Sequence, residues 1–135
     1  MSLPLLTIGV ISFNRLKFLK PTLESMKRCI QYPRIQWIVI DSSIEAGMKE
    51  YLDECDWIDE LIYLPKDSSH IDSMNKIVEL AKGEAVLIWP DDMQFVVEGD
   101  WMIDCMEVLV ENPWVGSMVL NCLRNKTLAS TFKVN

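Results

Sequence analysis

Two adjacent carboxylates, Asp91 and Asp92, follow an apolar run, Ala85-Val86-Leu87-Ile88-Trp89, with only Pro90 between. Like charges this close repel each other unless a cation or a hydrogen-bond donor stands between them. Side chains alternate along extended backbone, so one carboxylate can reach a metal while the other reaches a neighbouring polar group. An oxygen-only donor set suits Mg²⁺ or Mn²⁺. Pro-Asp-Asp is equally good turn chemistry, and on residue types alone a turn or capping pair competes evenly with a metal site. Asp41 repeats the placement, ending the apolar run Ile35 to Ile40 and opening Asp41-Ser42-Ser43. Asn14 and Arg15 follow a third apolar run, in Ser12-Phe13-Asn14-Arg15. Arg15 is either a phosphate partner or a solvated charge. His70 stands alone, which excludes a multi-histidine metal site; it is either a phosphate contact or a capped imidazole. Lys66 and Lys76 read as surface charges.

The chain has 135 residues, half of them apolar, which suits one domain with a buried core. Its net charge of −7 repels phosphate backbones and argues against nucleic-acid binding. Any anionic small ligand therefore needs a local cation, a helix N-terminus or a metal. Cys29, Cys55, Cys105 and Cys122 are widely spread and form no C-x-x-C pair, so they read as reduced thiols of a cytoplasmic protein. No run is long and apolar enough for a membrane span, and the opening Met1-Ser2-Leu3-Pro4 has no signal-peptide pattern.

The elements that must position these residues alternate. Strands are expected at Leu5–Ile11, Ile35–Ile40, Leu61–Leu64, Ala85–Trp89 and Val115–Leu120. Between them, helical spacing runs from Leu16 to Ile30, from Met48 to about Cys55, and through Ile71, Met74, Ile77, Val78 and Ala81. A further helix is expected from Trp101 to Val110, with Asp100 as its cap. Ser68 or Ser69 caps the helix of Ile71, Asp72 suits its first turn, and Gly83 ends it. The tail from Cys122 to Asn135 has no pattern. Strands separated by helices imply crossovers and a Rossmann-like, mostly parallel α/β sheet. Ligands of such sheets sit beyond the strands' carboxyl ends, which selects Ser12 to Arg15, Asp41 to Ser43, and Pro90 to Asp92. The Gly-x-Gly-x-x-Gly of dinucleotide-binding domains is absent after the first strand, as is the acidic pair of a phosphoacceptor receiver.

Four segments in register resemble family 2 glycosyltransferases of the GT-A type. Leu6-Thr7-Ile8-Gly9-Val10-Ile11-Ser12-Phe13-Asn14-Arg15 is similar to their opening strand and turn. Ile38-Val39-Ile40-Asp41-Ser42-Ser43 is similar to their second strand and Asp-Asp-Gly-Ser turn. Asn75-Lys76 through Ala81-Lys82-Gly83-Glu84 is similar to their Asn-containing helix and its end, and Val86 to Asp92 to the strand leading into the DXD region. The resemblance covers residues 5 to 121. It implies that Ser12, Asn14 and Asp41 line a pocket for uracil or another base. It also implies that Asp91 reaches the ribose and that Asp92 binds Mn²⁺ or Mg²⁺ on the diphosphate. Ser42 stands where the family has a second base-contacting Asp, Met74 stands before Asn75 where Arg is common, and Pro90 replaces the first acid of DXD.

The implied function is transfer of a sugar from a nucleoside diphosphate, UDP among the candidates, to an acceptor hydroxyl with inversion. The family's acceptor-binding region, with its catalytic base, is expected to lie beyond a single nucleotide-sugar-binding domain of residues 1–135, and the catalytic residue is unassigned. The nucleotide-contacting set is then Ser12, Asn14, Arg15, Asp41, Ser42, Asn75 and Asp91, with Asp92 on the metal. The alternative is a non-catalytic nucleotide-binding or interaction module of the same fold. An open sheet edge predicts association between copies.

Overall fold

The computed structural model describes residues 2–120; Cys122 and the patternless tail lie outside the described residues. Four parallel strands form one sheet in the order β3-β2-β1-β4: β1 (Leu6–Ser12), β2 (Ile35–Asp41), β3 (Glu60–Tyr63) and β4 (Ala85–Pro90). Parallel neighbours need crossovers, and helices make them. α1 (Leu16–Cys29) joins β1 to β2, α2 (Met48–Asp53) joins β2 to β3, α3 (His70–Leu80) joins β3 to β4, and α4 (Trp101–Glu111) follows. The fold is thus the expected α/β one. The central strands β1 and β2 are covered on both faces and buried almost throughout, which is why their sequences are continuously apolar.

Alternation along the strands divides the core in two. Leu6, Ile8 and Val10 of β1, with Trp37 and Val39 of β2, pack against Leu19, Leu23 and Met26 of α1, Met48 and Leu52 of α2, and Met102 and Met106 of α4. On the opposite face, Ile38 and Ile40 of β2 meet Ile77 of α3, with Ile11, Ile62 and Ile88 around them. A Cβ on Gly9 would stand 2.4 Å from Ile77 Cγ2, so the missing side chain lets α3 lie close against β1. Polar groups finish this face. The buried Thr7 hydroxyl donates to Gln36 Oε1 at 2.7 Å and accepts from Gly83 N–H at 2.9 Å, and Gln36 donates to the Leu80 carbonyl at 3.0 Å.

Three local expectations change, and one open choice is resolved. Val115 to Leu120 is not a strand: it pairs with none of the described strands, and apolar propensity cannot form a strand without a ladder partner. Gly83 is not a left-handed cap. α3 already ends at Leu80 with Ala81 extended, and glycine is needed because a Cβ would lie 2.6 Å from Thr7 N and 2.7 Å from the Leu5 carbonyl. Asp100 precedes α4, but its side chain caps nothing. Of the two serines offered for α3, Ser69 is the cap. Its hydroxyl accepts from Asp72 N–H at 3.1 Å, and the Asp72 carboxylate accepts from Ser69 N–H at 2.8 Å, a reciprocal capping box.

Candidate functional site

The three strand ends named by the sheet rule meet at one edge. β1 and β4 lie side by side, and β4 leaves the sheet on the side of β1 opposite to β2 and β3, so the crevice opens at this reversal. The turn after β1 is tight because Asn14 adopts a left-handed conformation, φ 51°, which asparagine tolerates better than most residues. Its side chain then ties the turn to the loop after β2. Asn14 Oδ1 accepts from Ile44 N–H at 2.8 Å and Glu45 N–H at 3.1 Å, while Asn14 N–H donates to Ser43 Oγ at 2.7 Å. The Ser43 hydroxyl donates in turn to Asp41 Oδ1 at 2.5 Å. Asn14 and the buried Asp41 therefore lock two loops together.

Beyond this lock sits an ion cluster. Arg15 Nη2 donates to Asp91 Oδ1 at 2.5 Å and its Nη1 to Asp92 Oδ2 at 3.1 Å. Asp91 is 2% exposed and its second oxygen accepts from Phe13 N–H at 3.2 Å; Asp92 is 41% exposed. The cation that two adjacent acids require is thus a side chain from the neighbouring strand end. Thr22 of α1 anchors the same turn from below, its hydroxyl donating to the Asp91 carbonyl at 2.9 Å.

A cleft of about 270 Å³ lies on the α3 side of the edge, lined by Ile11, Phe13, Ser42, Ser73 and the segment Lys66 to His70. The residues of β1 that face it follow from the pleat. Thr7, Gly9, Ile11 and then Phe13 point toward α3, whereas Ser12 shares the opposite face with Ile8 and Val10. Ser12 is accordingly fully buried, with its hydroxyl 3.8 Å from Met48 Sδ, and it offers the edge only its carbonyl, which accepts from Ser42 N–H at 3.2 Å. Asn75 is exposed on α3 and does not line the cleft.

The edge thus gathers Asn14, Arg15, Asp41, Ser42, Asp91 and Asp92, turns the Ser12 side chain inward and leaves Asn75 apart. Nothing local singles out Ile11, or Phe13 within Ser12 to Arg15, although strand parity counted from Ile8 and Val10 finds both. The cleft position of Lys66 is not legible either, because nothing local marks a loop lysine as facing a sheet edge. Lys76, by contrast, pairs with Glu79 at 3.4 Å.

The donor set bears on a metal. No group of three or more His, Cys, Asp or Glu stands together among the described residues, so there is no closed protein cage. Asp92 accepts only from Arg15 among the described residues and is open to solvent. One accessible carboxylate fits Mg²⁺ or Mn²⁺, ions that keep waters and take further oxygens from substrate phosphates. At the end of β3, Tyr63 is pushed above the ordinary phenol range, first by burial and then by its hydrogen bond to Asp53.

The profile of the family described as "Glycosyl transferase family 2" matches residues 7–117. A protein of Sinorhizobium fredii (strain NBRC 101917 / NGR234), named "Uncharacterized protein y4gI", is 28% identical over 117 residues, 84% of this chain; the chain spans 13% of that relative's length. Among solved structures, S. aureus TarS 1-349 in complex with UDP-GlcNAc superposes with a TM-score of 0.67 at 18% identity, covering 81% of this chain and 32% of that one. The mannosyltransferase PcManGT from Pyrobaculum calidifontis, in complex with GDP-Man and Mn²⁺, superposes with a TM-score of 0.66 at 19% identity, covering 83% and 34%. At such identities these two likenesses show the fold, which is of their type. No helix among the described residues is long and apolar enough to cross a membrane.

Proposed function

The chain belongs to glycosyl transferase family 2, and from that premise we propose that it binds a nucleoside-diphosphate sugar with Mn²⁺ or Mg²⁺, for transfer of the sugar to an acceptor hydroxyl. The observation that carries the reading is the arrangement around Phe13. Its ring borders the α3-side cleft while its N–H holds Asp91 in the ion cluster. An apolar wall and a cluster of charges on two sides of one residue suit a ligand with a flat base at one end and a diphosphate at the other.

In this reading the base lies against Ile11 and Phe13, with the Ser42 hydroxyl as a polar contact in place of a carboxylate. Asp91, buried with both oxygens engaged by Phe13 N–H and Arg15, fixes those two groups beside the ribose rather than contacting it. Asp92 holds the divalent ion, which when bound supplies charge neutralisation to the leaving diphosphate. That ion also answers how a chain of net charge −7 can hold an anion. Asn14 and Asp41 act by holding the two loops in register, and no residue is assigned as the catalytic base. Both solved relatives named above carry nucleotide sugars, UDP-GlcNAc and GDP-Man, which supports the ligand class without choosing the base.

The test is calorimetric titration of UDP and of GDP, each with and without Mn²⁺, into the wild-type chain and Asp92→Ala. Metal-dependent binding in the wild type that disappears in the variant is the expected result. Equal affinity in the two proteins removes Asp92 from its role.

A further inference from the structure

We propose that Arg15 is the resident counter-cation of the ligand-free site, and that it releases Asp92 when metal and diphosphate arrive together, so that the metal alone binds weakly. The inference rests on the reading of Asp92 as the metal ligand. The two arms of the Arg15 fork differ. Asp91 is almost wholly buried and has both oxygens engaged, by Nη2 at 2.5 Å and by Phe13 N–H at 3.2 Å. Asp92 is 41% exposed, its contact with Nη1 is longer at 3.1 Å, and Arg15 itself is 47% exposed. The Asp91 arm is held in place by its surroundings, while the Asp92 arm can open at little structural cost.

A divalent ion on Asp92 would stand within a few ångströms of a guanidinium that can never lose its proton. Two cations on one carboxylate repel each other, so a bare ion must compete with Arg15. A diphosphate changes the balance, because it brings enough negative charge for both cations and geometry that matches a guanidinium. Nη1 then has a better acceptor than Asp92, and the vacated carboxylate takes the ion. Metal and nucleotide thereby favour each other's binding.

Titration of Mn²⁺ alone, followed by electron paramagnetic resonance on the full chain, tests this. Arg15→Gln should bind Mn²⁺ about 5-fold or more tightly than wild type, within the usual range of coupling between sites. Arg15→Lys, which keeps the charge but loses the fork, should fall between them. Arg28→Gln removes an equal charge from α1 at a residue paired with Glu98 at 4.0 Å, and should match wild type. Equal Mn²⁺ affinity in wild type and Arg15→Gln overturns the proposal, as does an equal gain in Arg28→Gln. If Asp92→Asn abolishes Mn²⁺ binding while Arg15→Gln equals wild type, only the Arg15 proposal falls. If Asp92→Asn still binds Mn²⁺, the metal reading falls with it. In the unmodified protein, the Arg15 guanidinium resonance, followed by nitrogen NMR, should move when Mg²⁺ and UDP are added together. A resonance unmoved with both bound overturns the proposal without any variant.

Discussion

The two faces of the sheet are built differently. On one, three helices press long apolar side chains onto β1 and β2, and residues such as Ile8, Leu23 and Met26 are wholly excluded from solvent. On the other, one helix lies close to the strands over Gly9, with a few isoleucines and the Thr7–Gln36–Gly83 hydrogen bonds between them. The thick face holds the fold. The thin face brings α3 and the segment before it close to the strand ends, and the candidate base cleft opens where that contact stops. A single glycine thus does on one face what a whole apolar cluster does on the other: it sets the distance between helix and sheet.

That contrast can be broken at either face. Leu23→Ala, in the thick core, should cost about 4 kcal/mol through lost burial and a residual cavity. Urea unfolding measures it, and nucleotide affinity of the folded fraction should hardly change. Gly9→Ala should cost less, about 2 kcal/mol from overpacking against Ile77, yet weaken UDP binding as well because α3 must move. A Gly9→Ala protein with unaltered UDP affinity would separate α3 from the cleft. At the cleft itself, Phe13→Ala should weaken UDP about 10-fold through lost stacking, whereas Ser12→Ala should leave it unchanged. The opposite ranking would place the base on the wrong side of β1.

The smallest effect expected is a pH-dependent one at the exposed end of α2. The Lys49 hydrogen bond, and after it that of Tyr63, holds the Asp53 carboxyl below its ordinary value of 3.8. A lowered folded-state value means the contribution to stability is present above 3.8 and disappears as the pH falls through the folded-state value. The difference in urea midpoint between wild type and Asp53→Asn should therefore be slight at neutral pH and vanish in acid.

Much of the fold was legible because periodicity is a local property. β1, β2 and β4 announce themselves as apolar runs, and α1 and α3 as helical spacing, so the parallel sheet and its candidate edge follow. Val115 to Leu120 misled for the same reason: strand-like composition is local, whereas strand pairing needs a neighbour. The site was legible as an edge, and the acids at Asp91 and Asp92 and the turn at Asn14 could be named from type and position alone.

What the sequence by itself determined was therefore which segments form strands and helices, and which polar residues end them. Only the tertiary structure decided how those residues are used. It turned Ser12 into the core and Ile11 and Phe13 to the cleft, because the pleat's phase is set by packing against α1 and α3. It committed Asn14 and Asp41 to a lock between loops. It also joined Arg15 to Asp91 and Asp92, residues far apart along the chain, since only the pairing of β1 with β4 places one strand end beside the other.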